Sequence, residues 1–149
     1  MSDSNTTVTS GQSAGGAANT RPAGVMLQVY RWGLVVFLAA GFVQIFLAGL
    51  GAFRLLHGGG DPAFDPHRIL GFVMAGMAIV ILILTLIARA GVRAIVGSVL
   101  LVFMTSFLQS LLAGLADDHV VFGALHAADG LLILAVPACL YAWTGRRAA

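Results

Sequence analysis

The 149-residue sequence contains no lysine and no glutamate, and charged residues make up only 9% of it. Such scarcity excludes a soluble surface, since ordinary globular domains are about one-quarter charged. The basic residues are eight arginines, dispersed rather than gathered into a nucleic-acid footprint, so nucleic acid is not an expected partner. A single cysteine, Cys139, excludes an intrachain disulfide and, inside an apolar run, is expected to pack as a small hydrophobe. No CxxC or HExxH spacing occurs, which argues against a zinc site. What fills the chain instead is apolar: 59% hydrophobic residues and a mean hydropathy of +0.96 place it in the membrane class.

Residues 1–24 are rich in Ser, Thr, Gly, Ala and Asn without apolar periodicity, so a disordered N-terminal tail is expected ahead of a bundle over residues 25–149. The tail lacks the basic and short apolar regions of a cleavable signal, so the first helix is expected to remain as an anchor. Four runs, about 29–52, 69–88, 94–115 and 121–143, reach the roughly 20 residues needed to cross a ~30 Å hydrocarbon layer. Arg21, Arg31, Arg89, Arg93, Arg146 and Arg147 flank one side of these spans, and only Arg54 and Arg68 flank the other. That imbalance puts both termini in the cytoplasm of a multi-pass plasma-membrane protein. Tyr30, Trp32, Tyr141 and Trp143 then fall at the cytoplasmic interface.

The chain repeats itself. Phe42, Gln44, Leu47, Ala48, Gly49 and Leu50 recur 65 positions later as Phe107, Gln109, Leu112, Ala113, Gly114 and Leu115. After each copy a polar connection leads to a histidine with glycine four residues on: His67 with Gly71, and His126 with Gly130. Short turns after each span make neighbours antiparallel. The expected fold is an all-α, up-down four-helix bundle built from two parallel helical-hairpin repeats. Asp61-Pro62 and Asp65-Pro66 offer two starts for the second span, and Asp117 or Asp118 a cap for the fourth.

Polar side chains inside lipid are costly and normally face the bundle interior. Counted at ~1.5 Å per residue, Gln44, His67, Gln109, His126 and Asp129 all fall in the outer leaflet. Two histidines on repeat-related helices suit axial ligation of a flat macrocycle between spans two and four. Gly71 and Gly130 lie on the histidine faces and would leave room for a porphyrin plane. Gln44, Gln109 and Asp129 would orient the imidazoles, and Arg54 and Arg68 would meet propionates at the outer surface. A b-type heme is the expected cofactor, with His67 and His126 on its iron.

His67-Arg68 before an apolar run, a glutamine in the third span and a histidine near the outer start of the fourth resemble one four-helix half of the heme A synthase (cytochrome oxidase assembly) family. In that family each half carries a histidine on its second and fourth helices near the outer face, where they ligate or contact heme. The resemblance covers roughly residues 29–143 and implies His67 and His126 as the pair. The sequence departs from the family in having four spans rather than eight, Phe64 where a glutamate precedes the histidine, and no cysteine pair. The resemblance therefore implies a binding or electron-transfer module rather than an oxygenating enzyme. Respiratory or heme-handling membrane proteins, or a second copy of the chain, would be its partners.

Two other readings stand beside this one. In a structural or accessory membrane subunit, the glutamines bond across helices and the small residues set close approach. In a divalent-metal or proton-coupled carrier, His126, Asp129 and His67 form the site. His57 and His119 belong to loops in every case.

Overall fold

The computed structural model describes residues 21–148. The expected tail falls mostly on residues outside this range, but positions 21–24 turn out to open the first helix. Five helices occur in order: α1 (Arg21–Leu56), α2 (Asp65–Ile87), α3 (Val92–Val102), α4 (Gln109–Leu115) and α5 (Val120–Ala148). A π-helical turn, Phe103–Leu108, joins α3 and α4 into a single rod. The described residues thus contain four spans long and apolar enough to cross a membrane: Gly24–Leu56, Asp61–Ile87, Val92–Leu115 and Val120–Arg146. The fold is an all-α membrane bundle of up-down topology.

Local chemistry sets the turns. Gly60 at φ 61 starts a 3-10 turn, Asp61–Phe64, which runs directly into α2, so both aspartate-proline pairs are used in succession. Neither aspartate caps the helix through its side chain. After α2, Arg89 takes the left-handed conformation at φ 49, where glycine is the usual residue. The Ala90 N–H reaches Thr85 O at 3.2 Å and the Arg89 N–H reaches Leu86 O at 3.1 Å, which satisfies the last carbonyls of the helix. Asp117 and Asp118 sit in the turn before α5, whose first turn is closed by Phe122 N–H donating to His119 O at 3.0 Å.

Helix α1 packs on α2 and α5, and the α3–α4 rod packs on the same two helices from the opposite side. The diagonals stay apart: among the described residues, no Cα of α2 comes within 8 Å of one in α5, and none of α1 approaches the rod that closely. The core is unevenly distributed along the bundle. Tyr30, Leu34, Phe37, Ala78, Ile81, Ala88, Ala94, Leu101 and Leu140 fill the end where the chain enters, and Met74, Met104 and Ile133 close the middle. Thr85 and Ser98 meet there across α2 and α3 with hydroxyls 2.8 Å apart. Towards the opposite end only Ala63, Leu112 and Asp129 join Gly51 in being buried.

One interfacial expectation is corrected. Trp32 and Tyr141 are exposed at the arginine-rich end, but Tyr30 has no exposed surface and belongs to the core. It lies two residues before Trp32, and on a helix that offset turns a side chain to the other face. Cys139, expected to be packed, is exposed on the outside of α5, where a membrane would cover it.

Candidate functional site

At the end of the bundle opposite the chain's entry, each hairpin is locked by a reciprocal pair of hydrogen bonds between a glutamine and a histidine. In the first half, Gln44 Nε2 donates to the His67 backbone carbonyl at 2.8 Å, and His67 Nδ1 donates to the Gln44 backbone carbonyl at 3.1 Å. In the second, Gln109 Nε2 donates to the His126 carbonyl at 2.9 Å, and His126 Nδ1 donates to the Gln109 carbonyl at 3.1 Å. The same four-atom clasp therefore forms twice. It forms despite separations of 23 residues in one half and 17 in the other. The first half is longer because α1 runs on to Leu56, well past Gln44, and a 3-10 turn precedes α2, whereas α4 ends at Leu115 soon after Gln109.

This clasp decides the chemistry of the imidazoles. A backbone carbonyl can only accept, so Nδ1 of each ring must carry the proton. In a neutral imidazole that leaves Nε2 with a free lone pair, the form that ligates a metal. The two rings face one another across the gap between α2 and α5, with centroids 6.2 Å apart and planes at 63°.

The halves differ in three respects. Asp129, 5% exposed, accepts the second amide hydrogen of Gln109 at 2.9 Å. Its counterpart in the first half is Leu70, and there the second hydrogen of Gln44 leans towards His67 Nε2 at a long 3.5 Å while Gln44 Oε1 is buried without a partner. Phe64 adds a wall to the first half only, its ring centroid 6.3 Å from that of His67 in a T-shaped contact. A Cβ on Gly51 would fall 2.6 Å from that same ring, so glycine on α1 makes the seat for Phe64. The sequence marked Phe64 merely as a departure from a family pattern. Its role, with Gly51, becomes visible only when the two helices are brought together. The third difference is the π-helical turn just ahead of Gln109, absent from α1. The additional residue in such a turn rotates the helix beyond it and here aims Gln109 at α5.

Gly71 and Gly130 face the glutamines, since a Cβ at Gly71 would lie 3.2 Å from Gln44 Nε2 and one at Gly130 3.8 Å from Gln109 Nε2. A Cβ would be tight against the Gln44 amide at Gly71, whereas at Gly130 the distance is ordinary van der Waals contact. Arg68 pairs with Asp61 at 3.1 Å and Asp65 at 3.2 Å on the surface, because the 3-10 turn brings Asp61 back to it and Asp65 lies three residues before it on α2. Both of these ion pairs are solvent-exposed. Arg54 remains exposed near the C-terminal end of α1. His57 is likewise exposed, with Nδ1 2.7 Å from Phe53 O, and His119 is an exposed loop residue.

Among the described residues, no three His, Cys, Asp or Glu side chains gather as a metal cluster. Asp129 is held by Gln109 and does not join the two histidines in one. No curated protein and no solved structure matches the chain. Residues 44–117, which include Gln44, His67, Gly71 and Gln109 and stop short of His126, are similar to a family of unknown function (DUF6220).

Proposed function

We propose that this is a membrane heme-binding protein in which His67 and His126 grip one b-type iron from opposite sides within the outer half of the bundle. The observation that carries the reading is the pair of imidazoles, each pinned at Nδ1 and facing the other at 6.2 Å between ring centres. Two imidazoles on one metal ion, with metal–nitrogen bonds of about 2 Å, need ring centres roughly 6 Å apart. Two protein ligands are too few for a bare divalent ion, which ordinarily takes four, but they complete an iron whose other positions a porphyrin fills. The residues present therefore fit the group. The resemblance to one half of the heme A synthase family supports the same pair.

Within this reading the chain's own residues have distinct tasks. His67 and His126 donate their Nε2 lone pairs, while the Gln44 and Gln109 carbonyls hold each ring in the ligating tautomer. The Cα atoms of α2 and α5 stay more than 8 Å apart, so the two imidazoles are the groups that meet across this diagonal. Bound there, the heme would supply a one-electron couple, for electron transfer or for passing heme to a partner. The arginine distribution supports an orientation with both termini in the cytoplasm and the site near the outer face.

Asp129 favours one further reading. A buried carboxylate within a span marks proton or ion traffic by default, and its place in only one of two repeated halves fits a proton-coupled carrier. An optical spectrum of the purified protein, oxidised against dithionite-reduced, separates the two. A Soret band that disappears in both His67→Ala and His126→Ala supports heme. A folded, colourless protein after expression with ample heme overturns it.

A further inference from the structure

A second polar feature lies at the other end of the molecule, remote from the histidines. Arg31 on α1 is half-buried, with its guanidinium carbon 4.5 Å above the centre of the Tyr141 ring on α5. The same guanidinium lies along Gly145, where a Cβ would sit 3.0 Å from Nη1 and 3.2 Å from Nη2. An aromatic face on one side and a bare glycine backbone on the other thus hold the fork in place. Gln28, Trp32 and Val35 complete a groove around it with about 80 Å³ of free space.

Among the described residues, no carboxylate pairs with Arg31, and the ion pairs are both made by Arg68. Asp61, Asp65, Asp117, Asp118 and Asp129 all lie at the start of α2, in the turn before α5, or in the first turns of α5, towards the opposite end. Arg89, Arg93 and Arg146 share the end of Arg31 and are exposed. Depth can be counted from the chain. A hydrocarbon layer needs roughly 20 helical residues, and that distance back along α1 from Ala52 arrives at Trp32. With the far boundary at Ala52, Arg31 would come level with the lipid headgroups. Trp32, 60% exposed, and Tyr141, 38% exposed, are the side chains that favour that boundary.

We propose that this groove between α1 and α5 binds the phosphate of an anionic membrane lipid, with Arg31 as its principal ligand. A planar guanidinium presents two parallel N–H groups to a phosphate, and the Gln28 amide and Trp32 indole are further donors on the rim. The acyl chains would run down the apolar outer surfaces of α1 and α5, where Val36 and Leu132 are exposed.

The full-length protein in detergent tests this by thermal unfolding with added dioleoylphosphatidylglycerol, dioleoylphosphatidylcholine or inorganic phosphate. Phosphatidylglycerol alone should raise Tm. Arg31→Gln should weaken its apparent affinity roughly tenfold or more, whereas Arg93→Gln should stay within about the fivefold that one surface charge contributes. Gly145→Ala keeps the charge but crowds the guanidinium, and should weaken binding too, so the test survives if Arg31→Gln does not fold. Equal losses in Arg31→Gln and Arg93→Gln would reduce the effect to diffuse attraction and overturn the site. An equal rise with inorganic phosphate would overturn the lipid assignment.

Discussion

The imidazoles of His67 and His126 lie 6.2 Å apart between ring centres, although the helices that carry them have no closer backbone approach than 8 Å. Side chains alone bridge the diagonal of the bundle. Each ring is held from behind by a glutamine carbonyl on the neighbouring helix of its own hairpin. The two hairpins therefore present a matched pair of imidazoles, while the backbones of α2 and α5 stay apart where those rings meet.

In the proposed heme site both rings would hold one iron, so single substitutions are expected to be as damaging as the double one. His67→Ala and His126→Ala should each abolish the reduced-minus-oxidised heme spectrum, and the double variant should look no different. An exposed control, His57→Ala, should leave the spectrum intact.

Removing a glutamine should cost stability unequally. Gln44→Ala deletes a bond to the His67 carbonyl, and interhelical hydrogen bonds in membranes average about 0.6 kcal/mol. Gln109→Ala deletes bonds to the His126 carbonyl and to Asp129, leaving a buried carboxyl without its donor, a loss of about 1–3 kcal/mol. Denaturation in mixed micelles should rank Gln109→Ala as the less stable of the two, and the opposite order would count against the asymmetry described between the halves.

Glycine substitutions should divide by contact. A Cβ at Gly97 would meet three carbons of Leu140 between 2.8 and 3.2 Å, whereas one at Gly76 meets nothing within 4 Å. Gly97→Ala should therefore lower Tm by separating α3 from α5. Gly76→Ala should be neutral or stabilising by about 0.5–1 kcal/mol, because alanine loses less backbone freedom in a helix.

The orientation is open to direct measurement with a membrane-impermeant maleimide. In a Cys139→Ser background, His57→Cys should react in intact cells, and Arg93→Cys only after the membrane is opened. The reverse pattern would invert the bundle.

Much of this arrangement was legible in the residues. The four spans are set by length and hydropathy, and the recurrence of Gln44 and His67 as Gln109 and His126 disclosed the repeat and the polar positions that matter. Other parts were not legible. Gly71 and Gly130 read as space for a flat cofactor because helical spacing gives the face of a residue but not its neighbour, and the neighbour proved to be a glutamine. Arg68 read as free because its pairing depends on a 3-10 turn that folds Asp61 back towards it. Tyr30 reads as interfacial from its place at the arginine-rich end of the first span, whereas burial depends on which side of α1 meets the core.

The sequence by itself determined a membrane-spanning helical bundle, its duplicated hairpins and the presence of two histidines at comparable depth, since hydropathy, helical period and repetition are properties of the chain taken locally. Only the tertiary structure decided which nitrogen of each imidazole bears the proton, how far apart the rings stand, and that the core is dense at one end and sparse at the other. Those outcomes depend on groups that arrive from a different helix, 23 residues away in one half and 17 in the other. No local pattern records what will be opposite.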